Sequence, residues 1–172
     1  MKRTLGFSLI EILITLLLVT IGVLGMVAMQ SRTIKYTQDS VQRNAAAALA
    51  NDLLELIRIQ PTGLPATSDF YKAAGTAFPA VAGAGCVNTP TTAQQQLACW
   101  GQKASSLLPG AADLLTSEFY VCRTATPGTC AAAGSAVEIQ LAWTVKAGEC
   151  MDSTDVNDST SVICHYRLRS DI

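Results

Sequence analysis

The chain has 172 residues and a formal net charge of −1. This length indicates one domain with an appendage. The sequence has neither the basic excess of a nucleic-acid-binding protein nor an acidic tail, so we expect no nucleic-acid partner.

The N-terminal region predicts a short leader followed by a membrane-length helix. Residues 1–6 carry Lys2 and Arg3, and residues 7–29 form an apolar run. A helix of that length rises about 35 Å at 1.5 Å per residue, which is enough to cross a hydrocarbon core of roughly 30 Å. The two basic residues predict that this end lies in the cytoplasm.

Glu11 is the one ionisable side chain between Thr4 and Ser31. A carboxylate inside a membrane helix is costly, so such residues are functional candidates; the plainer alternative is a tolerated glutamate near the interface. A cleaved signal peptide has an apolar region of about 7–15 residues and a small-x-small site after it, and neither is found here. A plain single-span anchor explains the length of the run but not Glu11.

Two glycines, Gly22 and Gly25, interrupt the apolar run. Glycine in a helix interior costs about 1 kcal/mol relative to alanine. Such glycines either allow close contact with another helix or mark a point where this helix bends or unwinds. The sequence leaves both interpretations open.

Residues 30–60 predict an amphipathic continuation of the same helix, about 50 residues long in total. From Gln30 to Arg58 there is no glycine or proline, and Pro61 is expected to end the helix. Apolar residues at helical spacing form a stripe: Ile34, Val41, Ala45, Leu49, Leu53, Leu56 and Ile57. Polar residues mostly occupy the other sides: Arg32, Lys35, Gln38, Asp39, Gln42, Arg43 and Asp52. Asp39 and Arg43 have the spacing of an i,i+4 ion pair.

Residues 61–172 predict a globular domain that begins with a loop-rich part. Glycine and proline punctuate residues 61–112, with a short helix expected at 93–100. Strands are expected at 119–123, 137–146 and 162–168. The middle one alternates apolar and polar residues, as a half-buried strand does. Three strands in series predict an antiparallel meander packed on the helical stripe, which is an α+β fold.

Six cysteines lie in this globular domain and none precedes residue 86. They are Cys86, Cys99, Cys122, Cys130, Cys150 and Cys164. An even number confined to the part that would be exported predicts disulfides in an oxidising compartment. The sequence allows 15 pairings; we favour neighbours, namely 86–99, 122–130 and 150–164. The alternative is free buried thiols in a cytosolic protein.

The sequence offers little for catalysis, so we expect no enzyme and no cofactor. His165, the one histidine, stands beside Cys164 and is expected to be structural. No C-x-x-C and no phosphate-binding glycine loop occurs. Oxygen ligands for Ca²⁺ are crowded in one loop, at Asp152, Asp155, Asn157 and Asp158. Because aspartate is common in turns and the spacing is not that of an EF-hand, we expect no metal site.

The stretch from Gly6 through Phe7 to Glu11 resembles the type III signal of type IV prepilins and of type II secretion pseudopilins. The resemblance implies that prepilin peptidase cleaves between Gly6 and Phe7 and methylates the new amine of Phe7. Glu11 occupies the acidic position of that family. In an assembly, its carboxylate would meet the Phe7 amine of a neighbouring subunit, which would offset the desolvation of both charges.

Further stretches resemble PilV-type minor pilins, although the match is weaker after residue 60. They are residues 21–26, Gln30, residues 48–58, Trp143, and the pair Tyr166 and Arg167. One position departs from many major pilins, which have a proline where Ala28 stands. Any bending of this helix would therefore rest on Gly22 and Gly25.

The resemblance implies the type IV pilin fold and a structural role in a complex that primes pilus assembly and ends near the tip. The subunit would wait in the inner membrane with its globular domain in the periplasm. The implied partners are other minor pilins, the major pilin, the inner-membrane assembly platform and a tip adhesin. The alternatives are a minor pseudopilin of type II secretion and a membrane-anchored periplasmic enzyme or binding protein.

Overall fold

The computed structural model describes residues 8–59, 67–81, 85–87, 90–150 and 161–171, apart from the side chains of Arg32 and Lys35. The chain forms two compact units, Met1–Gln38 and Asp39–Ile172. Helix α1, Leu9–Arg58, contributes to both units. Its 50 residues confirm the predicted long helix, which ends before Pro61 because the residue preceding a proline is disfavoured in the α conformation.

Two further helices lie in the second unit. α2 spans Ala93–Leu107, and α3 is a single turn at Ala111–Leu114. A capping box starts α2: the Thr92 hydroxyl accepts from the Gln95 N–H at 3.3 Å, and the Gln95 side chain accepts from the Thr92 N–H. The predicted end at residue 100 is too early. The helix continues through Gly101, where the ring of Phe78 occupies the space that a side chain would fill.

The sheet has four antiparallel strands in the order β2-β1-β3-β4. The strands are β1 Tyr120–Thr126, β2 Thr129–Cys130, β3 Ala136–Lys146 and β4 Ser161–Asp171. β3 pairs with β1 on one side and with β4 along eleven residues on the other. The predicted meander is therefore confirmed. β2 was not predicted, because two residues are too few to show a strand pattern.

The second half of α1 and the sheet share one hydrophobic core, as predicted. Leu49, Leu53 and Ile57 are fully or almost fully buried in it, together with Ile139 and Trp143. The stripe predicted from the sequence is only partly correct. Ile34 and Val41 are exposed, whereas Asp39, which was assigned to the polar side, is only 1% exposed.

The prediction that β3 is half buried is wrong, because both of its faces are covered. Glu138 is 1% exposed and Gln140 is 5% exposed. The Glu138 carboxylate accepts from the Tyr120 hydroxyl at 2.5 Å and from the Gly128 N–H at 2.8 Å. The Gln140 amide donates to the Glu118 carbonyl at 2.7 Å. These hydrogen bonds satisfy polar groups that would otherwise be costly to bury.

A buried lysine ties the segment before α2 to the sheet. Lys72 and Val121 exchange two backbone hydrogen bonds of 2.8 Å. The Lys72 Nζ donates to the carbonyls of Phe119 at 2.7 Å, Ala73 at 3.2 Å and Thr116 at 3.3 Å. No carboxylate pairs with it among the described residues. Burial lowers the pKa of Lys72 to about 8.

The lowered pKa of Lys72 predicts that the free energy of unfolding rises with pH above about 8. Up to the ordinary lysine pKa of 10.5, the unfolded chain holds a proton that the folded chain has lost, so raising the pH favours folding. Urea unfolding of the full chain in detergent micelles, measured from pH 7 to 9.5, checks this. Lys72→Met should lose the rise, whereas Lys103→Met, at a half-exposed lysine, should retain it. A rise of equal size in Lys72→Met would contradict the prediction.

Candidate functional site

The largest exposed apolar surface in the first unit is the segment of α1 from Leu9 to Met29. Its leucine, isoleucine, valine and methionine side chains are each about half exposed or more. By length and composition this part of the helix could cross a membrane, and none of its most apolar window is buried in the structure. A soluble core helix would bury one face. An apolar surface of this extent is consistent with a membrane anchor.

Glu11 lies in the first turn of α1. Its N–H donates to the Ser8 carbonyl at 3.0 Å. The other polar side chains nearby are satisfied within the helix, since the hydroxyls of Thr15 and Thr20 donate to the carbonyls of Ile12 and Leu17. Glu11 is the one charged side chain between Leu9 and Met29, and none of the ion pairs among the described residues includes it. A carboxylate at a helix N-terminus is also favoured by the helix dipole.

Gly22 and Gly25 lie in regular helix. No atom lies within 4 Å of the position that a Cβ would take at either residue. The two glycines therefore form a small exposed notch on α1, which another helix could approach closely. Bending at these glycines, the other interpretation, stays a prediction.

Two features singled out in the sequence lie outside the described residues. The processing site at Gly6 and Phe7 precedes the described part of the chain. The aspartate-rich loop that was considered for Ca²⁺ falls within residues 151–160.

The structure pairs all six cysteines as neighbours. Cys86 is bonded to Cys99, Cys122 to Cys130 and Cys150 to Cys164, with Cα separations of 5.5, 5.7 and 5.8 Å. These are the three pairs that the sequence analysis favours. Each bond closes a local loop, since the sequence separations are only 8–14 residues. The 122–130 disulfide joins β1 to the end of β2.

Asp39 lies beside one of these disulfides. Its carboxylate and the sulfur atoms of Cys150 and Cys164 lie within 4.8 Å of one another. Because the two sulfurs are bonded to each other, they are not available as the thiolates that bind metals. The Asp39 carboxylate instead accepts from the Arg43 Nε at 2.8 Å, which is the ion pair that their spacing predicts. The Arg43 guanidinium also lies 5.8 Å from the centre of a Trp143 ring.

His165 pairs with Glu118, at 3.0 Å between Nε2 and Oε2. The pair links β4 to the turn before β1, and both side chains are about one-third exposed. No nucleophile contacts the imidazole among the hydrogen bonds of the described residues. The geometry therefore fits the structural role expected from the sequence.

Sequence reasoning missed the buried charged groups of the second unit. Asp39, Lys72 and Glu138 are each at most 4% exposed, although charged residues are normally expected at the surface. Their burial depends on carbonyls, hydroxyls and N–H groups that are distant in sequence. A spacing pattern carries no signal of such contacts.

A family model matches part of the chain. Residues 28–101 match the family model described as Tt1218-like, Type IV pilin Tt1218. The match spans less than half of the chain and includes the part of α1 that enters the core. Searches of curated proteins and of solved structures found no match. The match supports a type IV pilin family, which is a family of structural proteins, and the α+β architecture agrees with the type IV pilin fold.

Proposed function

We propose that this protein is a minor pilin of a type IV pilus, similar to PilV, and that it has no enzymatic activity. The observation that carries the proposal is the type IV pilin match over residues 28–101, joined to the exposed apolar segment of α1 from Leu9 to Met29. The pilin assignment accounts for that surface, because subunits of this kind hold each other by packing their N-terminal helices. The subunit belongs to a complex that primes pilus assembly, and it supports surface display, twitching motility and adhesion.

Processing precedes assembly in this proposal. Prepilin peptidase removes residues 1–6 and methylates the amine of Phe7. Before assembly, residues 7–29 anchor the subunit in the inner membrane, and the disulfide-bonded domain lies in the periplasm. The oxidising periplasm suits the three disulfides.

Glu11 sets the register of assembly. An unpaired carboxylate is costly among apolar helices, so a subunit gains most where its Glu11 meets a cationic amine on a neighbour. The Phe7 amine of the adjacent subunit is the proposed partner. The small notch at Gly22 and Gly25 lets a neighbouring helix approach, and the same glycines let this helix bend.

The change Glu11→Ala tests the proposal. We expect the wild-type chain in pili sheared from the cell surface, and at least a tenfold lower amount of the variant, the ratio that corresponds to about 1.4 kcal/mol. Immunoblots of sheared pili and of membranes measure both. Thr15→Ala, one turn along the same exposed helix, is the matched control and should assemble normally. Equal recovery of Glu11→Ala would contradict the proposed role of Glu11.

Mass spectrometry of the mature N-terminus separates the alternatives. Methylated Phe7 is expected for a pilin or a pseudopilin. An intact Met1, or cleavage after residue 25, would instead indicate a membrane-anchored periplasmic enzyme or binding protein. Deleting the gene should abolish twitching motility if the protein serves a type IV pilus. Loss of protein secretion with normal twitching would identify a type II secretion pseudopilin.

A further inference from the structure

A cavity of about 400 Å³ opens along the edge of β1 in the second unit. It lies between the backbone bridge from Lys72 to Val121 and the two-residue strand β2. Because β2 is so short, this stretch of β1 has no continuous neighbouring strand. Apolar atoms make up most of the cavity wall, and the lining residues include Ala131 and the two cysteines of the 122–130 disulfide.

One cation, Arg123, lines the cavity. Its Nε donates to the Gly134 carbonyl at 2.9 Å, which holds the guanidinium in place. The backbone of Thr124 lies so close to Gly134 that a Cβ would not fit there. Glycine, which has no Cβ, can occupy this position. Within the described parts of the chain, no carboxylate lies within 4 Å of the Arg123 guanidinium. A half-buried guanidinium without an anion is unfavourable, so an arriving carboxylate would be stabilised.

Tyr71 lines the same cavity. Burial raises the pKa of the Tyr71 phenol, and the charge of Arg123 opposes that shift. The Tyr71 phenol therefore keeps its proton at neutral pH. The opposing effect of Arg123 shows that the charge of its guanidinium acts on the phenol. The lining residues include no carboxylate, imidazole or free thiol. The cavity is thus suited to bind an anion on an apolar stem.

We propose that this cavity receives a glutamate or aspartate side chain of a neighbouring pilin subunit, with its carboxylate on Arg123 and its stem against Ala131 and the 122–130 disulfide. This inference rests on the proposed function. A subunit surface fits because the mouth of the cavity is formed by exposed residues, Ala73, Cys130 and Ala132. The cavity volume of about 400 Å³ is larger than a carboxylate group, so the cavity also has room for the apolar stem of the side chain. The contact would join globular units and is separate from the packing of apolar helices.

The test places a photo-crosslinking amino acid at position 132 of the full chain, in cells that make pili. We expect a crosslink to another pilin subunit, within a peptide that contains aspartate or glutamate. Arg123→Gln should reduce this crosslink and the recovery of the subunit in sheared pili about tenfold, because the carboxylate would lose a charge-assisted pair. Arg123→Glu should block assembly, and changing the crosslinked acidic residue to arginine should restore it.

Two further variants separate docking from folding. Ala132→Trp fills the mouth of the cavity and leaves Arg123 intact, so it should also reduce incorporation while thermal unfolding stays unchanged. Arg58→Gln is the control, because Arg58 is an exposed arginine outside the cavity that pairs with Glu55. It should assemble normally.

The outcomes distinguish this inference from the proposed function. If wild-type protein is found in sheared pili but Arg123→Gln and Ala132→Trp are recovered equally well, the docking inference is wrong and the pilin assignment stands. A crosslinked peptide without an acidic residue also overturns the docking inference. If wild-type protein is absent from pili, the proposed function fails and the inference fails with it.

Discussion

Replacing Leu53 by alanine is expected to lower the free energy of unfolding by about 2–5 kcal/mol. Leu53 has no exposed surface and lies where α1 enters the shared core. Truncation removes apolar contacts and leaves a cavity that the sheet cannot close, since β3 is held by strands on both sides. Urea unfolding of the full chain in detergent micelles, followed by tryptophan fluorescence, measures the change.

Val41→Ala is the matched control for Leu53→Ala. Both residues belong to the apolar stripe that the sequence predicts on α1, but Val41 is 61% exposed. Its truncation should change the free energy of unfolding by less than about 0.5 kcal/mol. If both variants lost the same stability, Val41 would lie in the core together with Leu53, as the sequence predicts. That result would contradict the exposed position of Val41 in the structure.

Replacing Glu138 by alanine is expected to lower the free energy of unfolding by about 1–3 kcal/mol. The truncation leaves the buried Tyr120 hydroxyl without its acceptor, and it also removes the acceptor of the Gly128 N–H, which lies at an exposed residue and can bind water instead. Arg169, which lies opposite Glu138 in β4, would also lose a nearby negative charge. The same urea unfolding assay measures the loss.

Two other substitutions serve as comparisons for Glu138→Ala. Glu138→Gln keeps an oxygen acceptor and should lose less than Glu138→Ala. Glu55→Ala removes an exposed carboxylate that pairs with Arg58, and exposed pairs contribute about 1 kcal/mol or less. A loss in Glu138→Ala no larger than that in Glu55→Ala would show that the hydrogen bonds of Glu138 contribute little.

The elements predicted best from the sequence are those with long, repeated patterns. The helix to Arg58 and the strand at 136–146 span several turns or several alternations, so local preference and periodicity suffice to identify them. The neighbouring cysteine pairs that we favoured are the observed ones, although the sequence alone does not choose among the 15 pairings. The short helix predicted at 93–100 extends through Gly101 to Leu107. A glycine fits at position 101 because Phe78, distant in sequence, packs against it.

The candidate functional residues also differ in whether the sequence alone reveals them. Glu11 is visible in the sequence because a charge inside an apolar run stands out without any knowledge of its neighbours. Arg123 is not visible, because an arginine in a strand is ordinary. Its importance comes from a cavity wall that includes residues near positions 71, 121 and 131. The burial of Asp39 and Lys72 likewise depends on partners that folding brings together.

The sequence by itself determined that this protein has a long apolar and then amphipathic helix, a small antiparallel sheet, and a single charge within the apolar run. Those properties depend on residue type and on spacing over a few turns. The tertiary structure alone decided which face of α1 enters the core, how β3 is buried on both sides, and where the edge of β1 leaves a cavity beside Arg123. Those properties depend on contacts between residues far apart in the chain, where packing and hydrogen bonding outweigh local preference.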